Sequence, residues 1–167
     1  MLRVLVAFPL LTLVVILQSA VISRITLLSG CADLVLIVLA AWSLKADAAT
    51  AWLWAIFVCV MVSFVSAMPW PVVFSGYLIV VLLAQLLRKR VWQAPLLAMF
   101  SVIFIGTIVM EVLTLMVLNL LGIPLPFGNS FGLIVLPSVL LNMLFAIPVY
   151  VIVRDLAQWL IPEQKVE

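Results

Sequence analysis

The sequence predicts an all-α membrane protein: six transmembrane helices in a compact bundle, with both chain ends on the cytoplasmic side. Three observations carry this reading. They are an extreme apolar composition, six apolar runs divided by charge, proline or glycine, and a lopsided distribution of lysine and arginine. Of 167 residues, 69% are hydrophobic and 8% charged, against roughly 25% charged and about 45–50% apolar in soluble domains. A crossing of about 30 Å of hydrocarbon takes about 20 apolar residues, so this length predicts roughly five to seven crossings in a single transmembrane domain, 1–167.

The apolar runs fall at about 4–22, 25–44, 51–67, 70–87, 94–121 and 131–153, followed by a short cytoplasmic tail, 154–167. The first begins like a secretory signal, with Arg3 ahead of Val4 to Leu17. It reads as a retained helix, because the run is long for a signal and Gln18 to Ser23 offers a poor cleavage site. In the second, Gly30 and Asp33 leave only Leu34 to Leu44 as a clean run. Asp33 is a favourable N-cap, so the chain is expected to cross partly as irregular backbone through Ser29-Gly30-Cys31-Ala32.

The stretch 51–87 contains no charge, and Pro69-Trp70-Pro71 supplies its break into the third and fourth helices, since proline removes a backbone donor and fixes φ. The fifth run would extend about 42 Å as a helix, so it must tilt, bend or protrude. The loop 122–130, rich in turn formers, is then the longest external connection before the sixth run. Pro9, Pro137 and Pro148 are expected to kink their helices.

Six crossings from a cytoplasmic N-terminus place Arg3, Lys45, Arg88, Lys89, Arg90, Arg154 and Lys165 inside, with Arg24 outside. That is a strong positive-inside bias, and merging 51–87 into one span would invert it. Trp42, Trp52, Trp54, Trp70, Trp92 and Trp159 all lie near segment ends, as expected of indoles at the membrane interface. Arg88-Lys89-Arg90 reads as a topology anchor able to attract anionic lipid.

Polar groups inside the bilayer are the first candidates for function. Glu111 lies deep in the fifth run and Asn142 near the centre of the sixth, so a Glu111–Asn142 hydrogen bond is expected. It would serve helix packing or, alternatively, mark a proton or ligand site. Asp33 and Arg24 are expected on the outer side, where capping and pairing are both open to them.

Several function classes recede. The chain has no histidine, and Cys31 and Cys59 have neither metal-ligand nor disulfide spacing, so no cofactor, metal or catalytic residue is expected. One deep carboxylate does not make an aspartyl protease, and Lys45 and Lys165 sit far from buried serines. The scattered basic residues form no face for nucleic acid.

The order of these features resembles the rod-shape-determining MreD family of bacterial inner-membrane proteins. The resemblance rests on Leu17-Gln18-Ser19, Asp33-Leu34-Val35-Leu36, Arg88-Lys89-Arg90, Pro137-Ser138-Val139-Leu140-Leu141-Asn142 and Ala146-Ile147-Pro148-Val149-Tyr150. The chain departs from the family at Ala32, where proline is common, and in a third helix without glycine or acidic residues. The resemblance implies a non-enzymatic scaffold of cell elongation that binds MreC and cooperates with MreB filaments and wall-synthesis proteins.

It also implies a bundle similar to the S-component of energy-coupling-factor transporters, and a vitamin-binding S-component is the alternative function. Such a component should present an outer pocket and small residues four apart on its first helix, whereas Ala7 and Ala20 are far apart. A groove framed by the 122–130 loop and the lead-in to Asp33 is expected to receive a partner segment, with Arg24, Phe127 and Asn129 as contacts.

Overall fold

The computed structural model describes residues 2–88, 94–123 and 126–160. Its helices are α1 (Leu2–Ala20), α2 (Leu34–Lys45), α3 (Ala48–Val65), α4 (Trp70–Arg88), α5 (Pro95–Leu120), a single turn α6 (Phe127–Ser130) and α7 (Leu136–Leu160). A π-helical turn, Phe131–Val135, leads into α7. Between α1 and α2 lie a 3₁₀ turn, Ile22–Arg24, and a small hairpin of β1 (Thr26–Leu27) and β2 (Gly30–Cys31). The protein is therefore an all-α membrane protein: among the described residues, four helical stretches are long and apolar enough to cross a membrane, Ala48–Val65, Trp70–Arg88, Pro95–Leu120 and Phe131–Gln158.

The divisions follow local chemistry. α3 closes at Ser66, whose N–H reaches Val62 O at 2.8 Å, and α4 starts on Pro69, whose carbonyl takes Val72 N–H at 3.0 Å. The break in 51–87 thus falls at Pro69. Only two residues, Ala46 and Asp47, join α2 to α3. The Asp47 carboxylate caps α3 through Thr50 N–H (3.3 Å) and Thr50 Oγ1–H (2.8 Å). Past α5, Gly122 adopts φ +85° and Ile123 N–H reaches back to Leu118 O at 3.0 Å, the glycine-terminated ending that stops a long helix.

α2 is the axis of the molecule and packs against α1, α3, α4, α5 and α7. Every residue from Val35 to Leu44 is buried, which explains a helix that is apolar on all sides. Its 12 residues span about 18 Å, short of the hydrocarbon thickness. The rest of the predicted 25–44 segment, ahead of α2, is the hairpin and the residues that join it to Leu34. Around this axis α4 and α5 approach closely. A Cβ on Gly106 would stand 2.8 Å from Val80 Cγ2, and one on Gly76 would meet the Met110 sulfur.

Two tryptophans depart from the interface expectation. Trp42 and Trp54 are fully buried and stack at 4.0 Å with their planes 10° apart, tying α2 to α3. Trp70 is 67% exposed, as an interfacial indole should be. The position of a tryptophan along the chain does not reveal which way its helix face points, and α2 has no lipid face to offer.

Candidate functional site

The irregular lead-in to α2 needs hydrogen-bond partners for its backbone, and helices on both sides supply them. Gln18, in the last turn of α1, bridges it: its Nε2–H donates to Ala32 O (2.9 Å) and its Oε1 accepts Leu34 N–H (2.7 Å). Asp33 caps α2 by accepting Leu36 N–H at 2.9 Å, and its second oxygen accepts the Tyr77 hydroxyl from α4 at 3.0 Å. The backbone N–H of Asp33 donates to Asn142 Oδ1 on α7 at 2.6 Å.

The hairpin rests on the start of α7. Pro137 has no N–H to engage the carbonyl four residues back, Leu133 O, and that carbonyl instead accepts Ser29 N–H at 3.1 Å. Ser138 Oγ accepts Cys31 N–H at 3.2 Å. Gly30 makes the approach possible, because a Cβ there would lie 2.6 Å from Ile134 O and 2.7 Å from Ser138 N. Pro137 therefore acts as a docking point for irregular backbone at a π-to-α junction, in addition to any bend. Pro148 lies inside α7 with no break in the helix.

α5 and α7 face each other with two polar rungs. Asn142 Nδ2–H donates to Thr107 Oγ1 at 2.8 Å, and one turn further along α5 the carboxyl of Glu111 lies beside Ser138. The expected Glu111–Asn142 bond does not form: Asn142 bonds Thr107, and Glu111 lies beside Ser138, a register one helical turn away. Asn142 and Asp33 nevertheless belong to one hydrogen-bonded network, and Glu111 lines the same cavity beside it. Gln18, Tyr77, Thr107 and Ser138 are members whose roles the sequence reading missed. The signal for two of them was present: Thr107 and Glu111 are four apart on one helix, as are Ser138 and Asn142 on the other, so each pair shares a face.

This network lines one side of a cavity of about 410 Å³. Its other walls come from Val15 and Ser19 of α1, Val62 and Val65 of α3, and Met68 in the α3–α4 turn. No described residue of the 122–130 loop lines it, so the space beside Asp33 is framed by α1 and the α3–α4 turn instead. Neither lysine nor arginine is among the described residues lining it.

The remaining candidates lie apart from the cavity. Arg24 is exposed at the end of the 3₁₀ turn, and the Asp33 carboxylate is held by Leu36 and Tyr77 in place of Arg24. Arg88 closes α4, whereas Lys89 and Arg90 lie outside the described residues, as do the side chains of Phe127 and Asn129. Lys45 sits 5.9 Å over the Tyr150 ring, and Arg154 pairs at 3.0 Å with the adjacent Asp155. Among the described residues no group of histidine, cysteine and carboxylate side chains could hold a metal.

No protein-family model matches the sequence, and comparison with curated proteins and with solved structures finds no significant match.

Proposed function

We propose that this chain is a six-span bacterial inner-membrane protein of the MreD type, with both ends cytoplasmic. In this reading it is a non-enzymatic scaffold of lateral wall synthesis that binds MreC and engages MreB and the peptidoglycan synthases directly or indirectly. One observation carries the reading. Three of the five short stretches on which the resemblance rests, far apart in sequence, meet in one network: Gln18 from the first, Asp33 from the second, and Ser138 and Asn142 from the fourth. Residues kept together by a common fold are expected to meet in this way, whereas a chance likeness of layout has no reason to join them.

The scaffold role is supported by what the polar groups are occupied with. Gln18, Ser138 and Asn142 spend their hydrogen-bonding capacity on backbone and neighbouring helices, which fixes a shape and leaves outward helix faces for recognition. Affinity purification of the tagged chain from native membranes in mild detergent, with mass spectrometry of copurifying proteins, tests the proposal. Recovery of MreC and wall-synthesis proteins is expected.

A second reading is favoured by the cavity itself. Polar groups converging on an enclosed space beside the lead-in to α2 are what a substrate-binding S-component requires. Copurification of paired ATPases with a transmembrane coupling subunit, and no MreC, would replace the scaffold by the transporter reading.

A further inference from the structure

We infer that the cavity between α1, the α3–α4 turn and the α5–α7 ladder is a binding site for the protonated amine of a small amphipathic ligand, held by Asp33 and Glu111. The inference rests on the cavity alone and holds whichever partner the chain has. At about 410 Å³ the space is of ligand size, and its walls divide in character. Val15, Val62, Val65 and Met68 form the apolar side, while Asp33 and Glu111 stand on the polar side.

The chemistry follows from which hydrogen-bonding groups are already committed. The amide and phenol donors of the network make internal bonds, Gln18 to Ala32 O, Tyr77 to Asp33 and Asn142 to Thr107, while the Ser66 and Thr107 hydroxyls and the Cys31 thiol also line the cavity. An ionised carboxylate offers about four lone-pair sites and no donor. The Asp33 carboxylate serves Leu36 and Tyr77. Glu111 lies beside Ser138 of α7 and lines the cavity. What the two carboxylates lack is a positive charge and donors to their remaining lone pairs, since the protein places neither lysine nor arginine among the described lining. A ligand that complements them must bring both, together with an apolar body for the opposite wall. An alcohol brings a donor without charge, and a carboxylic acid brings the wrong charge.

The experiment is isothermal titration of the full chain in phosphatidylcholine nanodiscs, corrected with empty discs, using hexylamine, hexanol and hexanoate as probes. Hexylamine should bind saturably, hexanol about tenfold more weakly through loss of the charge-assisted bonds, and hexanoate not at all. Glu111→Gln should lower hexylamine affinity about tenfold. Val62→Trp, which fills the apolar side without touching the polar network, should abolish binding and keeps the test decisive if Glu111→Gln does not fold. Equal affinity for hexylamine and hexanol, hexylamine binding unchanged in both variants, or no saturable hexylamine binding would each overturn the proposal. Repeating the titration with phosphatidylethanolamine in the discs identifies the amine's source. Competition would assign the site to a lipid headgroup, and undiminished binding to a soluble amine.

Discussion

Asn142 accepts the backbone N–H of Asp33 at 2.6 Å, so the lead-in to the central helix is pinned to the last helix by one side-chain amide. The same amide donates to Thr107 on α5 at 2.8 Å. Asn142 is therefore the point at which α2, α5 and α7 are held in register. Replacing it by alanine leaves a buried backbone N–H and a threonine hydroxyl without their partner. Asn142→Ala is expected to cost about 2 kcal/mol of stability. Leu140→Ala, on the exposed face of the same helix, should cost much less. Reversible unfolding in mixed micelles compares the two.

Gly30 should tolerate no side chain. A methyl group at this position would come within 2.6 Å of the Ile134 carbonyl oxygen and 2.7 Å of Ser138 N, and backbone atoms cannot swing aside as a methionine tip can. Gly30→Ala is expected to lift the hairpin from α7, breaking the Cys31–Ser138 and Ser29–Leu133 bonds together. Faster hydrogen exchange of residues 26–33, with α3 and α4 unchanged, would show it. The matched substitution Gly76→Ala meets only the flexible end of Met110 and should be the milder of the two.

Much of this architecture was legible along the chain, because its signals are local. Pro69 divides α3 from α4, Asp33 caps a short α2, and Gly30 marks irregular backbone before it, each through a property of the residue itself. The site was legible only in part. Glu111 and Asn142 were conspicuous as polar residues in apolar runs, but their pairing depends on how α5 and α7 slide past one another. One turn of slide exchanges Asn142 for Ser138 as the neighbour of Glu111. Gln18 and Tyr77 matter through the backbone and carboxylate they meet across other helices, which no periodicity encodes.

The Glu111–Ser138 contact predicts a graded mutational series. Glu111→Gln keeps a polar group beside Ser138 and should fold nearly normally, whereas Glu111→Leu sets an apolar side chain against that serine between two helices. A double-mutant cycle of Glu111→Leu with Ser138→Ala should give a coupling of about 0.6–2 kcal/mol, the range for interhelical hydrogen bonds in membranes. A coupling near zero would mean that the two side chains do not act together.

The stacked indoles of Trp42 and Trp54 separate a packing role from an interfacial one. Both rings are fully buried and lie 4.0 Å apart, while Trp70 is 67% exposed. Brominated lipids should therefore quench the fluorescence of a variant that keeps only Trp70 and leave one that keeps only Trp54 nearly unquenched. Truncation should give the matching energetic result. Trp54→Ala opens a large hole between α2 and α3 and is expected to cost about 3–5 kcal/mol, and Trp70→Ala far less. The two measurements are independent, since quenching reports lipid access and unfolding reports packing. Strong quenching of Trp54 would return it to the membrane interface and remove the stack as the link between α2 and α3.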